Sequence, residues 1–402
     1  MMFKQTMVGW MVASALLAMS GTAAASGFAL IEQSASGLGN AFAGGAAGAE
    51  DASTIFFNPA GMSRLSGKQI VVAAHAITPS TKFTGTGVPG SNMGGDAGST
   101  AIVPNAYFAM EVKPGLKMGL GLNAPFGLQT EYNPAWVGRY HAIKSKLDTI
   151  NLNPSLAYQV NDALSVGAGI NYQHISGELT DYEGSILGTT AVKGTDNAWG
   201  YNLGGLYNVN ASTRIGVSYR STISYKLQGT VATALPFANG PVSLDIKLPD
   251  SFSVSGFHKL NDKWDVMADA SWTGWSSFKQ VKVVSGAGAT ISNTPENWKN
   301  TVRVSVGATH HYSEQWLARV GLAYDQAPVP DAFRTARIPD NNRTWLALGG
   351  QYKPSAASAI DFGYAHLFVG DSTINSTSPA PALVGTYKNS VDILSAQYTH
   401  GF

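Results

Sequence analysis

The side chains that could do chemistry are few, and their spacing argues for binding rather than reaction. Cysteine is absent, which removes thiol catalysis, disulfides and Cys-zinc sites together. His310 and His311 are adjacent, so on a strand they point to opposite faces and cannot share one metal. The remaining histidines are scattered, and no Ser–His spacing marks a nucleophile with its base. No catalytic residue, metal or cofactor is called for. What remains is a set of cations. On a two-residue period Lys299, Arg303, Arg220, Lys226 and Arg319 fall on one, inward face. A cation in an apolar pocket can hold a carboxylate head through charge-assisted hydrogen bonds. It can equally pair with acids such as Glu50 and Asp51. Lys299 and Arg303, beside Trp298, are the better placed for substrate, and Arg220 and Arg319 for pairing. Residues 173–178 supply no second cation opposite them.

These faces exist only if the chain is built of strands, and its pattern says that it is. In 316–325, Trp316, Ala318, Val320, Leu322 and Tyr324 share one face, and Leu317, Arg319, Gly321, Ala323 and Asp325 the other. One face is apolar with an aromatic at each end, as two water–lipid interfaces require. The other is small or charged. Val302, Val304, Val306 and Ala308 alternate with Arg303, Ser305, Gly307 and Thr309 in the same way. Segments 148–159, 164–174 and 390–402 repeat the pattern, and the last ends on Phe402. Charged residues are 13% and net charge is +1, so no nucleic-acid partner is suggested. Past residue 25 no run of 18 apolar residues appears, which argues against a spanning helix.

Connections sort into two kinds. Short polar turns near 113–115, 161–162, 210–212, 261–262, 313–315 and 353–355 alternate with long stretches at 79–101, 127–146, 176–197, 232–241, 285–297, 327–343 and 370–388. Six short turns and seven long loops give fourteen strands. The expected fold is therefore all-β, a fourteen-stranded antiparallel transmembrane barrel with both ends on the short-turn, periplasmic side. Closure leaves no unpaired edge in lipid. An aromatic C-terminus such as Phe402 is typical of outer-membrane barrels and is read by their assembly machinery. Ahead of the barrel, Lys4, the apolar 7–19 and Ala23-Ala24-Ala25 form a signal peptide, 1–25. Residues 26–65, rich in Gly, Ala and Ser, read as a plug or hatch inside a barrel of 66–402.

The chain resembles the FadL family of outer-membrane fatty-acid and hydrocarbon transporters over its whole mature length. The resemblance rests on Ser26-Gly27-Phe28, Ser36-Gly37-Leu38-Gly39-Asn40-Ala41 and Asn58-Pro59-Ala60. It continues through Val103-Pro104-Asn105, Asn151-Leu152-Asn153, Tyr219-Arg220-Ser221, Pro249, 272–275, Pro328-Val329-Pro330 and Ile338-Pro339-Asp340. It implies a hatch on the periplasmic side, capture at the loops, an inner pocket, and sideways release through a gap made by a kink in the third strand. The matching stretch here is Asn123-Ala124-Pro125-Phe126-Gly127. Pro125 lacks an N–H and Gly127 tolerates unusual dihedrals, so pairing should fail there. The resemblance makes Phe28 a gate that ligand displaces, and Asn58, Pro59 and Ala60 a hinge into the barrel.

Loops should be polar, yet Ile186 and Leu187 lie in one and Leu235, Pro236 and Phe237 in the next. They could form a capture groove or pack on each other. The expected function is outer-membrane passage of long-chain fatty acids or related hydrophobic molecules, by a monomer surrounded by outer-membrane lipid. The alternatives are a transporter of toluene-type aromatics, a general porin and a lipid-acting barrel enzyme.

Overall fold

The computed structural model describes residues 27–402; the signal segment 1–25 and Ser26 lie outside the described residues. Fourteen antiparallel strands close into one barrel. They are β1 Lys68–Thr86, β2 Ala101–Lys113, β3 Leu116–Asn123, β4 Lys144–Gln159, β5 Leu164–Tyr182, β6 Thr189–Asn208 and β7 Thr213–Arg220. The round continues through β8 Ser251–Lys259, β9 Trp264–Thr273, β10 Thr301–His311, β11 Trp316–Asp325, β12 Arg343–Ser355, β13 Ser358–Val369 and β14 Leu383–Gly401. The seam between β14 and β1 runs unbroken from Gln69↔Gly401 to Thr86↔Val384.

Alternation holds on every strand the sequence singled out. Val320, Leu322 and Tyr324 are exposed outward while Arg319, Gly321, Ala323 and Asp325 are buried inward. The outward band is apolar, with Ile150, Leu156, Ile170, Val306 and Leu394 all more than half exposed. Trp264, Trp316 and Tyr398 edge it near the short turns, and Tyr172, Trp199 and Phe368 near the long loops. Those are the two interfacial girdles of a lipid-embedded wall.

The long connections differ from expectation, because much of them is strand. Segments Gly127–Glu131, Ile223–Ala232, Gly240–Leu248, Gln280–Ser285, Thr290–Pro295 and Ser372–Ser376 extend the sheet above the barrel. β5 and β6 likewise continue as a hairpin to Tyr182↔Thr189. Above the lipid an outward residue no longer needs to be apolar, so the two-residue signal disappears while the hydrogen-bonded ladder goes on.

Residues 35–64 fill the lumen as short helices: α1 Ala35–Leu38, α2 Gly45–Gly48, α3 Thr54–Phe57, and the 3-10 turn Pro59–Arg64. Ser34 caps α1 by accepting the Gly37 N–H at 3.1 Å. The wall receives this body with glycine. A Cβ at Gly167, Gly204, Gly216, Gly307, Gly321 or Gly349 would overlap hatch atoms, mostly backbone, of Gly39, Asn40, Ala46, Asn58 and Ala60. The inward small residues of the sequence pattern are thus a socket.

Candidate functional site

The site is built where the third strand fails. β3 pairs with β2 only from Ala106↔Leu122 downward. β2 itself continues upward along β1 to Ala101↔Ile77. Above Asn123 the chain leaves the ladder at Ala124, Pro125 and Phe126, then rejoins β4 alone through Gly127–Glu131. The upper edge of β2, which includes Pro104, therefore has no strand neighbour on that side among the described residues, which leaves a break in the wall.

The first described residues fill the break. Leu30 N–H donates to Pro125 O at 2.7 Å, and Gly127 N–H donates to Phe28 O at 2.9 Å. Ala29 and Phe126 form an antiparallel bridge. Gln33 Nε2 donates to Ala124 O at 2.9 Å. The two remaining backbone groups of Phe126 go to one side chain on β4. Its N–H donates to Thr149 Oγ1 at 3.0 Å, and the hydroxyl donates back to Phe126 O at 2.7 Å. A buried break in a ladder needs this kind of substitution. Behind the opening, Asn105 Nδ2 donates to Glu32 O and Tyr107 Oη to Gln33 O, both at 3.0 Å. Burial pushes the Glu32 carboxyl up to about 7, against the pull of Arg343 and Arg303.

Phe28 is held in an aromatic cage. Its ring meets Trp275 at 4.7 Å, Phe278 at 5.4 Å, Trp298 at 5.5 Å and Phe126 at 6.1 Å, mostly edge to face. Gly27 has φ +63°, and a Cβ there would reach within 2.7 Å of Trp298. Its N–H donates to Asp340 Oδ2 at 2.8 Å, and Arg343 holds that carboxylate at 2.5 Å. The cage and the carboxylate therefore fix the direction in which the segment enters.

Two cavities meet at this cage. The outer one, about 730 Å³ between atoms, has Phe28 in its lining together with Leu147, Leu179, Leu227 and Leu244, and only a few polar groups. The inner one, about 990 Å³, is bounded by Ala29, Leu30, Ile31, Phe126 and Trp275 and by Arg220, Arg303 and Asp325. Arg303 is buried; one NH2 bond runs to Ala41 O at 2.8 Å, while its Nε and NH1 find no partner among the described residues. Arg220 stacks on Phe56 at 4.3 Å and donates to Asn171 Oδ1 at 2.6 Å.

The cations separate by where the strand ends. Arg303 and Arg319 face inward as parity requires. Arg319 is committed to Asp361 at 2.7 Å and Glu50 at 2.8 Å. Lys299 and Lys226 are corrections: both are exposed. Lys299 lies at 296–300, outside any strand, and residues 221–222 interrupt the ladder before Lys226, so the parity count does not carry across either gap. Arg220, read as a structural cation, is the second cation of the inner cavity. Asn58, Pro59 and Ala60, the expected hinge, sit in the buried turn that follows α3. Asn58 is fully buried, caps the 3-10 turn through the Ala60 N–H at 3.0 Å, and donates to Ala46 O at 2.6 Å and Gly205 O at 3.0 Å. That is a clamp.

The sequence missed Trp275, Phe278 and Glu296 as lining residues, because they sit in irregular loop where no period marks a direction. Trp275 closes the 272–275 block that carries the family resemblance. At the top, Ala234 N–H donates to Leu187 O at 2.8 Å, which joins the two loop tips. Leu187 and Leu235 are half-buried there, and Ile186 and Phe237 stay 72% and 85% exposed.

Comparison with known proteins adds an independent line. Residues 16–402 match the family described as outer membrane protein transport protein (OMPP1/FadL/TodX). The chain is 30% identical over 405 residues to the long-chain fatty acid transport protein of Escherichia coli K12, covering 89% of this chain and 91% of that one. It is 34% identical over 424 residues to a putative outer membrane protein of Neisseria meningitidis, covering 89% and 91%. A crystal structure of a Pseudomonas aeruginosa FadL homologue superposes with a TM-score of 0.87 at 26% identity, over 94% of this chain and 100% of that one. The Pseudomonas putida toluene transporter TodX shares the fold, with a TM-score of 0.69 at 18% identity over 87% and 94%.

Proposed function

The chain belongs to the OMPP1/FadL/TodX family of outer membrane transport proteins, and from that premise we propose that its cargo is a long-chain fatty acid or a related hydrophobic molecule. Capture begins at the exposed Ile186 and Phe237 with Leu187 and Leu235 beneath them. The alkyl chain enters the outer cavity by desolvation, at roughly 25 cal/mol per Å² of apolar surface removed from water. Displacing Phe28 opens the way to the inner cavity, where Arg303 and Arg220 receive the head group. Release is sideways, through the break at Pro125, Phe126 and Gly127. No reaction is required, and no cofactor is invoked.

One observation carries this reading. The backbone of Phe28 and Leu30 supplies the hydrogen bonds that Pro125 and Gly127 lack, while the Phe28 ring fills the junction of the two cavities. A ligand that expels the ring therefore also unlatches the wall. Arg303 lines the inner cavity, and its Nε and NH1 lack a hydrogen-bond partner among the described residues while Asp325, Asp269 and Glu32 stabilise its charge; spare donors of this kind support a carboxylate cargo over a neutral monoaromatic. We take residues 26–65 as the hatch, a monomer in outer-membrane lipid as the working unit, and the exposed terminal Phe402 as the feature met by the assembly machinery. The experiment is uptake of labelled oleate by a transporter-deficient outer membrane carrying this chain. Restored uptake is expected, with loss in Arg303→Ala; uptake equal to that of the empty strain would defeat the reading.

A further inference from the structure

The outer cavity is apolar along most of its lining, but Glu296 and Arg337 reach it as well. Glu296 opens the irregular segment 296–300 ahead of β10 and is 1% exposed. Its Oε2 accepts the indole N–H of Trp298 at 3.0 Å, which ties the carboxyl to the cage around Phe28. Its own N–H donates to Lys279 O at 2.8 Å. Arg337 is engaged with other groups. NH2 donates to Asp181 at 2.7 Å, and NH1 to Ser145 Oγ at 3.1 Å and to the carbonyls of Lys144 and Thr180. Glu183 adds negative potential at Arg337. The other cations of the cavity wall, Lys146 and Lys193, are paired with Asp148 at 3.1 Å and Glu178 at 3.2 Å.

Burial pushes the Glu296 carboxyl up to about 8, while the Trp298 N–H and Arg337 pull more weakly the other way. At neutral pH the group is then mostly the uncharged acid, with an O–H to donate. Two carboxylates brought together in a desolvated site cannot both stay ionised. An anionic head entering this cavity can therefore lie beside Glu296 only while Glu296 keeps its proton.

We propose that Glu296 sets the head-group selectivity of the outer cavity. As the neutral acid it donates a hydrogen bond to a carboxylate head held near Arg337. As the carboxylate it turns that head away and leaves uncharged long-chain molecules unaffected. The proposal rests on the reading of this cavity as the entry site for hydrophobic cargo.

The test compares oleate with oleyl alcohol on the full protein in lipid nanodiscs, by calorimetric titration at pH 7, 8 and 9. The alcohol is neutral throughout this range, while oleate at a lipid surface gains charge as pH rises, so Glu296→Gln supplies the baseline for the ligand's own titration. Oleate affinity should fall about tenfold between pH 7 and pH 9, the fraction of a group titrating near 8 that loses its proton. The alcohol should bind equally at all three, and Glu296→Gln should lose the fall in oleate affinity that the unsubstituted protein shows. A flat oleate profile in the unsubstituted protein, or a parallel fall for the alcohol, would overturn the proposal and leave the transport reading standing. No binding of either ligand at pH 7 would overturn both. The two-ligand comparison on the unsubstituted protein needs no variant to fold.

Discussion

The hatch is held in two different ways. Its body, residues 34–65, touches the wall backbone to backbone across a glycine socket. Asn40 Nδ2 reaches Ala308 O at 2.9 Å, Asn58 clamps Gly205, and Arg319 ties Glu50 of the hatch to Asp361 of β13. Its arm, residues 27–33, has no such socket above Gln33. One ring in a cage, a short run of backbone bonds at the strand break, side-chain bonds involving Asn105, Tyr107 and Gln33, and one bond to Asp340 hold it. Contacts spread over many strands must be lost together, whereas contacts at one break can be lost locally. The difference separates a body anchored across many strands from an arm held at one break.

The largest expected effect is in the body. Arg319→Ala leaves the fully buried Asp361 with only Gln351 as a donor. It should lower unfolding stability by about 4 kcal/mol, read by urea titration in liposomes. Arg319→Met with Asp361→Leu should recover most of the loss. A single change below about 1 kcal/mol would mean the body is not anchored by this cluster.

The next effect belongs to the arm. Phe28→Ala removes a ring packed on four others, a change worth about 3 kcal/mol in a core. Here it should appear locally. Amide exchange at Leu30 and Gly127 should speed by about 100-fold, while the global melting point stays put. A fall in melting temperature with unchanged exchange at those two amides would erase the distinction between arm and body. The smallest effect tests the corrected cation. Lys299 is exposed, so Lys299→Ala should change oleate uptake by less than about twofold, and a tenfold loss would restore it to the binding site.

The barrel was legible because lipid forces it to be. Every outward residue such as Val304 or Leu322 must be apolar and every inward one is free to be Gly, Ser or Arg, so the period is written plainly. Arg303 could be read for the same reason. Lys299 and Lys226 could not, since one lies outside any strand and the other follows an interruption that resets the count. The family resemblance singles out Phe28 but carries no sign of the cage that holds it. Trp275, Phe278 and Glu296 come together from separate loop positions, and no local spacing records that meeting. The nearest signal is an acid two residues from a tryptophan, Glu296-Asn297-Trp298, in an otherwise polar loop.

The glycine socket has a consequence for the order of events during biogenesis. Hatch atoms contact glycines on β5, β6, β7, β10, β11 and β12, so no single hairpin carries the imprint. We infer that the first residues of the barrel chain serve as a mandrel around which later hairpins are laid, and that the seam closes last. Gly321→Val, whose added carbons would overlap Asn40 and Ala41, should then slow seam closure itself, seen as delayed conversion to the heat-resistant band on a gel. Closure at the native rate would show that the cylinder forms first and is filled afterwards.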